Sequence, residues 1–338
     1  MEQLNVRVVD LQGSAYDIGL KQAEEMKATQ LIYQLDFLEK LTMNANPIEA
    51  KKQLLALSPH FLEELTGLAK GLNLAVDKII QLYSGYGVDF PSMGCSTLIQ
   101  DNYYVRNYDF SPEIYDARFV FFNPSNGYAS VGFSQQMLGR LDGMNEKGLV
   151  IGLHFVNDKP KGEGFLATTI VRLVLDLCSN VAEAVSYISK IPHGFSYNYS
   201  IMDSTGEAAV IEASPDKQII HFNNRLSCTN HFEAPLLQEK NKQEIQGSLK
   251  RKTYISSLIN GEQSPLTAYH HFNDGDSPLF MNHYNEHFGT LHTVVYLPKE
   301  LSVIIGIGEN CEPIKLSLKD YLQGTMSAPK VLKGTINR

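Results

Sequence analysis

Pro91-Ser92-Met93-Gly94-Cys95-Ser96-Thr97-Leu98-Ile99-Gln100-Asp101-Asn102-Tyr103-Tyr104-Val105-Arg106-Asn107-Tyr108-Asp109 is the stretch where the chain changes grammar. Its first four residues are a breaker cluster, and the residues after them read as short strands. Thr97 to Gln100 and Tyr103 to Asn107 flank Asp101-Asn102, a dipeptide suited to a tight hairpin because both residues tolerate positive φ.

C-terminal to the hairpin, Phe119 to Phe122, Ala129 to Phe133 and Leu149 to Phe155 continue as strands. Helices are expected over Ala167 to Cys178 and Val181 to Ile191, the second opening behind Asn180. Strands return at Tyr197 to Met202 and Ala208 to Glu212, a helix is expected within Lys242 to Ile259, and Thr290 to Leu297 with Leu301 to Ile307 form a last hairpin.

On the N-terminal side the first ninety residues read mostly as helix. Ser14 before Asp17 is a capping signal, and an apolar stripe runs through Ile18, Met26, Leu31, Ile32, Leu35 and Leu38. Further helices are expected from Pro59 to Leu72 and behind Asp77. The whole order predicts an α+β fold of two antiparallel sheets with helices packed outside.

The chain has 338 residues, 43% of them hydrophobic, which is enough for a large core, and a formal charge of −8 that argues against nucleic acid as a partner. Residues 1 to 13 hold neither a signal-peptide core nor a membrane span, so a cytoplasmic protein with no membrane contact is expected. Cys95, Cys178, Cys228 and Cys311 stand at long, unrelated spacings that suggest no disulfide framework and no zinc pair.

A lone cysteine is more often a small buried hydrophobe than a nucleophile. Cys95 gains chemical sense from Arg106, whose guanidinium favours a thiolate, and from Asp109, whose carboxylate can hold an amine. Side chains alternate along a strand, so Asp109 joins Arg106 only where the strand ends or bulges. A structural Arg-Asp pair at a strand end explains the same residues.

Gly94-Cys95-Ser96-Thr97, then Val105 to Asp109, then Asp142-Gly143-Met144-Asn145-Glu146-Lys147-Gly148-Leu149 resemble, in that order, the choloylglycine hydrolase and penicillin V acylase family. Cys228-Thr229-Asn230-His231-Phe232 and Ser248 to Arg251 are similar to the isopenicillin-N acyltransferase branch. So are Leu11 to Gly19 and Leu65 to Gly71, which look like its pro-segment.

The resemblance implies an N-terminal-nucleophile (Ntn) hydrolase with an αββα sandwich. It implies a pro-segment or small subunit over residues 1–94 that stays docked, and a catalytic core over 95–338. It makes Cys95 the nucleophile, Arg106 and Asp109 its supporting pair, Asn230 an oxyanion donor and Arg251 a second fixing charge. His154 stands where bile-salt hydrolases carry an asparagine, and is expected at the substrate.

The implied reaction is cleavage or transfer at the amide bond of a small N-acyl compound, with acyl-CoA as a second candidate donor, a homo-oligomer compatible and no cofactor required. A thiol and an α-amine on one residue supply nucleophile and near-neutral base together, but only after the Gly94–Cys95 bond is cut.

Three other readings are open. A papain-type pair would use His231 or His292 as base without any cut. A degenerate binding protein would keep the fold alone. His283-Tyr284-Asn285-Glu286-His287 matches an inverted zinc-protease pattern, although its composition suits a loop better than a helix.

Overall fold

The computed structural model describes residues 1–29, 31, 35–89, 91–259, 261 and 263–337. The N-terminal part holds β1 (Glu2–Gly13), α1 (Ala15–Ala28), α2 (Leu35–Leu41), α3 (Pro47–Leu57), α4 (Pro59–Leu72) and α5 (Val76–Tyr83). Strands β2 (Gly94–Gln100), β3 (Tyr103–Phe110), β4 (Arg118–Pro124), β5 (Ser130–Gln135), β6 (Gly139–Arg140), β7 (Asp142–Asn145) and β8 (Val150–Asn157) follow.

Next come α6 (Ala167–Leu177), α7 (Val181–Ile188), β9 (Ser196–Met202), β10 (Ala208–Ala213), β11 (Gln218–Phe222) and β12 (Leu226–Cys228). The chain closes with α8 (Gln246–Ile259), α9 (Pro265–Asn273), β13 (Asn282–His283), β14 (Phe288–Leu297), β15 (Ser302–Ile307), β16 (Ile314–Ser317), α10 (Leu318–Leu322) and β17 (Val331–Ile336).

Two sheets result. One has the order β11-β10-β9-β8-β7-β5-β4-β1-β17, with β6 beside β5; the other runs β12-β2-β3-β14-β15-β16, with β13 beside β14. Helices α6 and α7 pack on the outer face of the first sheet, and α8 and α9 on the outer face of the second. The four αββα layers are those the sequence led us to expect. Leu98 and Val105 pack outward with Ile255 of α8 and Phe272 of α9. Their strand neighbours Tyr104 and Arg106 point inward, where they would strike any side chain at position 152, so that Gly152 lets the sheets close.

The N-terminal part departs from expectation. Residues 2–13 form a strand, and β1 lies between β4, which it pairs in parallel, and β17. The sheet is therefore not wholly antiparallel. Leu4 and Val6 are buried on one face of this strand with Asn5 exposed between them, and Leu11, an odd step on, is buried on the opposite face beside Ile18 of α1. The stripe read as one long helix is broken into α1 and α2, and its Ile32 lies outside the described residues.

Ser14 caps α1 as expected, its hydroxyl accepting from the Asp17 amide at 3.1 Å. Gly19 of α1 lies against the backbone of Glu64 and Leu68, and Gly67 of α4 against the carbonyl of Tyr16, so the two motifs of the first segment pack on each other.

This helix pair is fastened to the core by buried charge. Arg172 of α6 bonds Glu64 of α4 at 2.7 Å and Asp176 at 2.9 Å, all in the interior. Removing one member leaves the rest uncompensated. Arg172→Met should therefore lower the stability of the protein by about 3–5 kcal/mol. Urea unfolding will read this as a lower midpoint; an unchanged midpoint would show that the pair contributes nothing net.

Candidate active site

Cys95 opens the first hairpin of the second sheet, in register with Tyr108, while Thr97 faces Arg106. Cys95 and Arg106 therefore share the inward face of the sheet, and Arg106 Nη2 donates to Cys95 Sγ at 3.0 Å. The same nitrogen donates to the Leu153 carbonyl at 2.7 Å, and Nη1 to Asp142 Oδ2 at 2.5 Å. Asp142 also accepts from the Tyr296 hydroxyl at 2.6 Å, with His292 Nε2 at 3.5 Å.

Burial opposes ionisation throughout. It pushes the Cys95 thiol up to about 12 despite Arg106. Burial also disfavours charge on Asp142, but Arg106, His292 and Tyr296 outweigh it and hold the carboxyl below its usual value.

Asp109 pairs with Gly94 across the hairpin and so lies on the opposite, helix-facing side. The register shift between Thr290 and His292 falls in β14, and does not bring Asp109 to Arg106. Sequence reasoning made these two a pair; the structure separates them, because an odd spacing on a regular strand changes face. Asp109 instead accepts from Thr290 at 2.7 Å and faces Arg251 at 3.5 Å, with burial raising its pKa against the pull of Arg251.

Arg251, on α8, connects that face to the nucleophile candidate. Its Nη1 donates to the Cys95 carbonyl at 2.7 Å and its Nη2 to Asn230 Oδ1 at 2.9 Å. Asn230 Oδ1 also accepts from the Cys95 amide at 2.8 Å, and Nδ2 donates to the Phe155 carbonyl at 2.8 Å and more distantly to Met93 O at 3.4 Å. Cys95, Asn230 and Arg251 are thus one bonded group.

Several residues that hold this group were not expected. Ser248 accepts from the Asn230 amide at 2.8 Å and bonds His231 Nδ1. Asn198 Nδ2 donates to the carbonyls of Thr229 and His231 on either side of Asn230. Asp142 heads a quoted motif and Ser248 opens another, so both carried a signal; Asn198, on an otherwise aromatic strand, carried none.

His154 lies inward beside the Cys95 backbone, with Nε2 2.8 Å from the Ser200 hydroxyl, and burial drives its pKa well below the usual value. His231 Nδ1 is engaged by Ser248, and His292 Nδ1 by the Tyr115 hydroxyl at 2.9 Å. The Cys95 thiol bonds Arg106 rather than either ring. His283 and His287 flank a single 3-10 turn instead of sharing a helix face, and no group of three metal-binding side chains occurs among the described residues.

Residues 98–311 match the model of the acyl-coenzyme A:6-aminopenicillanic acid acyl-transferase family. The chain belongs to that family. Its membership bears out the acyltransferase branch read from the motifs. No curated protein matches the chain. Among solved structures it is similar to a mutant conjugated bile acid hydrolase from Clostridium perfringens, at 14% identity over 72% of this chain and 97% of that one, TM-score 0.48. It is also similar to penicillin V acylase from Agrobacterium tumefaciens (16%, 68% and 80%, TM-score 0.40). A third likeness is the Caenorhabditis elegans N-acylethanolamine-hydrolyzing acid amidase ortholog (14%, 61% and 93%, TM-score 0.36).

No helix among the described residues is long and apolar enough to cross a membrane. All four cysteines are free, and only Cys311 is partly exposed. A thiol reagent at pH 8 should therefore label Cys311 in the native uncut chain and reach Cys95, Cys178 and Cys228 only on unfolding. Fast labelling of Cys95 in uncut protein would show that the site is open before any processing.

Proposed function

We propose that this family member is a cysteine amidohydrolase or acyltransferase of the Ntn type, acting on small N-acyl amides and activated when it cuts its own Gly94–Cys95 bond. The observation that carries the reading is the convergence of Arg106 on the Cys95 thiol and of Asn230 and Arg251 on the Cys95 backbone. Cys95 has 0% exposure in the intact chain, so a substrate cannot reach it there. That disfavours a hydrolase working without a cut.

In the self-cut, Cys95 Sγ adds to the Gly94 carbonyl, and the thiol proton passes to the departing Cys95 nitrogen. Water then hydrolyses the resulting thioester, leaving a Gly94 carboxylate and a free α-amine on Cys95. Removal of 94 residues from the 338 leaves a core of 244.

In turnover the α-amine, with an ordinary pKa of about 7.7–8.0, takes the thiol proton as sulfur attacks the substrate carbonyl. Asn230 Oδ1 and the Arg251 guanidinium orient this residue. The Asn230 N–H directed at Met93 O is released when residue 93 moves, and donates to the tetrahedral oxyanion. His154, beside the Cys95 backbone, contacts the substrate. The proton goes to the leaving nitrogen, and the acyl group passes from Cys95 to water or to an amine. A thioester such as acyl-CoA can load the same sulfur.

Intact mass of freshly purified active protein should show chains of 94 and 244 residues, and Cys95→Ala should be uncut and inactive. Full turnover by an uncut 338-residue chain would overturn the reading. Asn230→Ala, assayed as cut protein on N-acyl amides with and without acyl-CoA, should lose about 10²–10³ in kcat with a smaller change in KM. A near-normal kcat with a lowered Tm would make Asn230 a scaffold residue.

A further inference from the structure

Beside the cut site, three buried rings form one cluster: Phe155 lies 6.4 Å from Phe195 and 5.9 Å from Tyr197, and Phe195 lies 6.3 Å from Tyr197. Two lysines sit over it, Lys242 Nζ 4.5 Å from the Phe155 ring centre and Lys161 Nζ 5.8 Å from that of Phe195. The cluster adjoins the chemistry, because the carbonyl of Phe155 is the acceptor that anchors Asn230 Nδ2.

Both ammonium groups are occupied by the segment that ends at Gly94. Lys242 donates to Ser92 Oγ at 2.7 Å, and Lys161 to Asp89 Oδ1 at 2.6 Å. Ser92 precedes Cys95 by three residues, a reach of at most about 11 Å. The intact chain thus places one of its own carboxylates and a hydroxyl on the two ammonium groups that cover this buried aromatic cluster. Burial lowers the pKa of Lys242, with Asp158 opposing, so a close anion offsets the penalty that burial places on its charge.

We propose that Lys242 and Lys161 form a recognition site for a carboxylate on the substrate, which Asp89 and Ser92 occupy until the segment lifts. The preferred substrates are then N-acyl amides bearing a carboxylate, as in an N-acyl amino acid, with the apolar part resting on Phe155, Phe195 and Tyr197. This rests on the amidohydrolase reading above. It adds the two specificity-determining residues, which no motif in the sequence singles out.

The test compares N-phenylacetylglycine with N-phenylacetylglycinamide, which differ in charge but hardly in shape, on cut enzyme verified by mass. The acid should be favoured about ten- to a hundredfold in kcat/KM, mainly through KM, as expected for a charge-assisted hydrogen bond. K242Q should reduce that preference about tenfold or more, K242R should restore most of it, and the more exposed K161Q should reduce it less. If K242Q does not cut, the K161Q preference decides.

Equal, Cys95-dependent turnover of acid and amide would overturn the inference and leave the amidohydrolase reading standing. So would a preference unchanged in these variants, and in that case the new Gly94 carboxylate is the anion the lysines keep. Absence of Cys95-dependent turnover on either compound and on other N-acyl amides would overturn the underlying reading as well.

Discussion

A single buried guanidinium joins the two sheets and fixes the thiol. Taking an arginine out of water costs several kcal/mol unless its donors are met. Arg106 meets most of the requirement from the opposite sheet, through the Asp142 carboxylate and the Leu153 carbonyl, and gives a further contact to Cys95 Sγ, while its buried Nε has no hydrogen-bond partner. The sheets can approach this closely because position 152 has no side chain. The same dryness that strengthens the ion pair raises the thiol pKa to about 12, so the cation orients sulfur without ionising it. Water entering the site would relax the burial penalty and leave Arg106 favouring the thiolate.

The outward face of the hairpin has a complementary task. Arg251 ties the Cys95 carbonyl, the Ser96 hydroxyl and Asn230 together, residues contributed by β2 and by the turn after β12. Asp109 balances that charge, and its carboxylate lies against Gly94: a Cβ there would stand 2.8 Å from Asp109 Oδ2 and 2.9 Å from the Phe288 ring. The glycine before the cysteine is therefore a steric requirement of the site. In the sequence Gly94 reads only as the last member of a breaker cluster, because the carboxylate that crowds it comes from across the hairpin.

The difference between what the sequence revealed and what it hid follows the range of the interactions. The Asp101-Asn102 hairpin, the α4 and α7 starts and the last hairpin depend on neighbours a few residues away, and these were readable. Asn145 explains its motif locally as well, because its side-chain oxygen accepts from the amides of Lys147 and Leu149 and closes the turn that Gly148 completes with φ of 78°. The parallel docking of β1 on β4, the Arg106–Asp142 pair and the Asn198 clamp join residues far apart in the chain, and alternation or caps say nothing about such partners. Family resemblance supplied the site list but not the pairing within it: Arg106 and Asp109 belong to one motif and serve opposite faces of one strand.

The N-terminal segment is held unequally along its length, and this shapes what a cut after Gly94 would do. At its start β1 is hydrogen-bonded on both sides, to β4 and β17, and Arg118–Glu25 and Arg172–Glu64 bury charge against the core. None of these contacts involves the severed bond. Near its end, the Gly87 amide meets the Gly164 carbonyl at 2.9 Å, and Gly94 pairs with Asp109 where β2 begins. Between Gly87 and Gly94 the shorter side-chain bonds to the core, the Lys161–Asp89 ion pair and the Lys242–Ser92 hydrogen bond, lie at the surface, where an ion pair contributes about 0–1 kcal/mol, and the buried contact from Asn230 Nδ2 to Met93 O is long at 3.4 Å. Gly87 itself has φ of 67°, a conformation in which a glycine can serve as a pivot. A free end at Gly94 would thus release the last few residues from the thiol while the strand and helix pair keep the segment attached, so that docking and opening are properties of different ends of one segment.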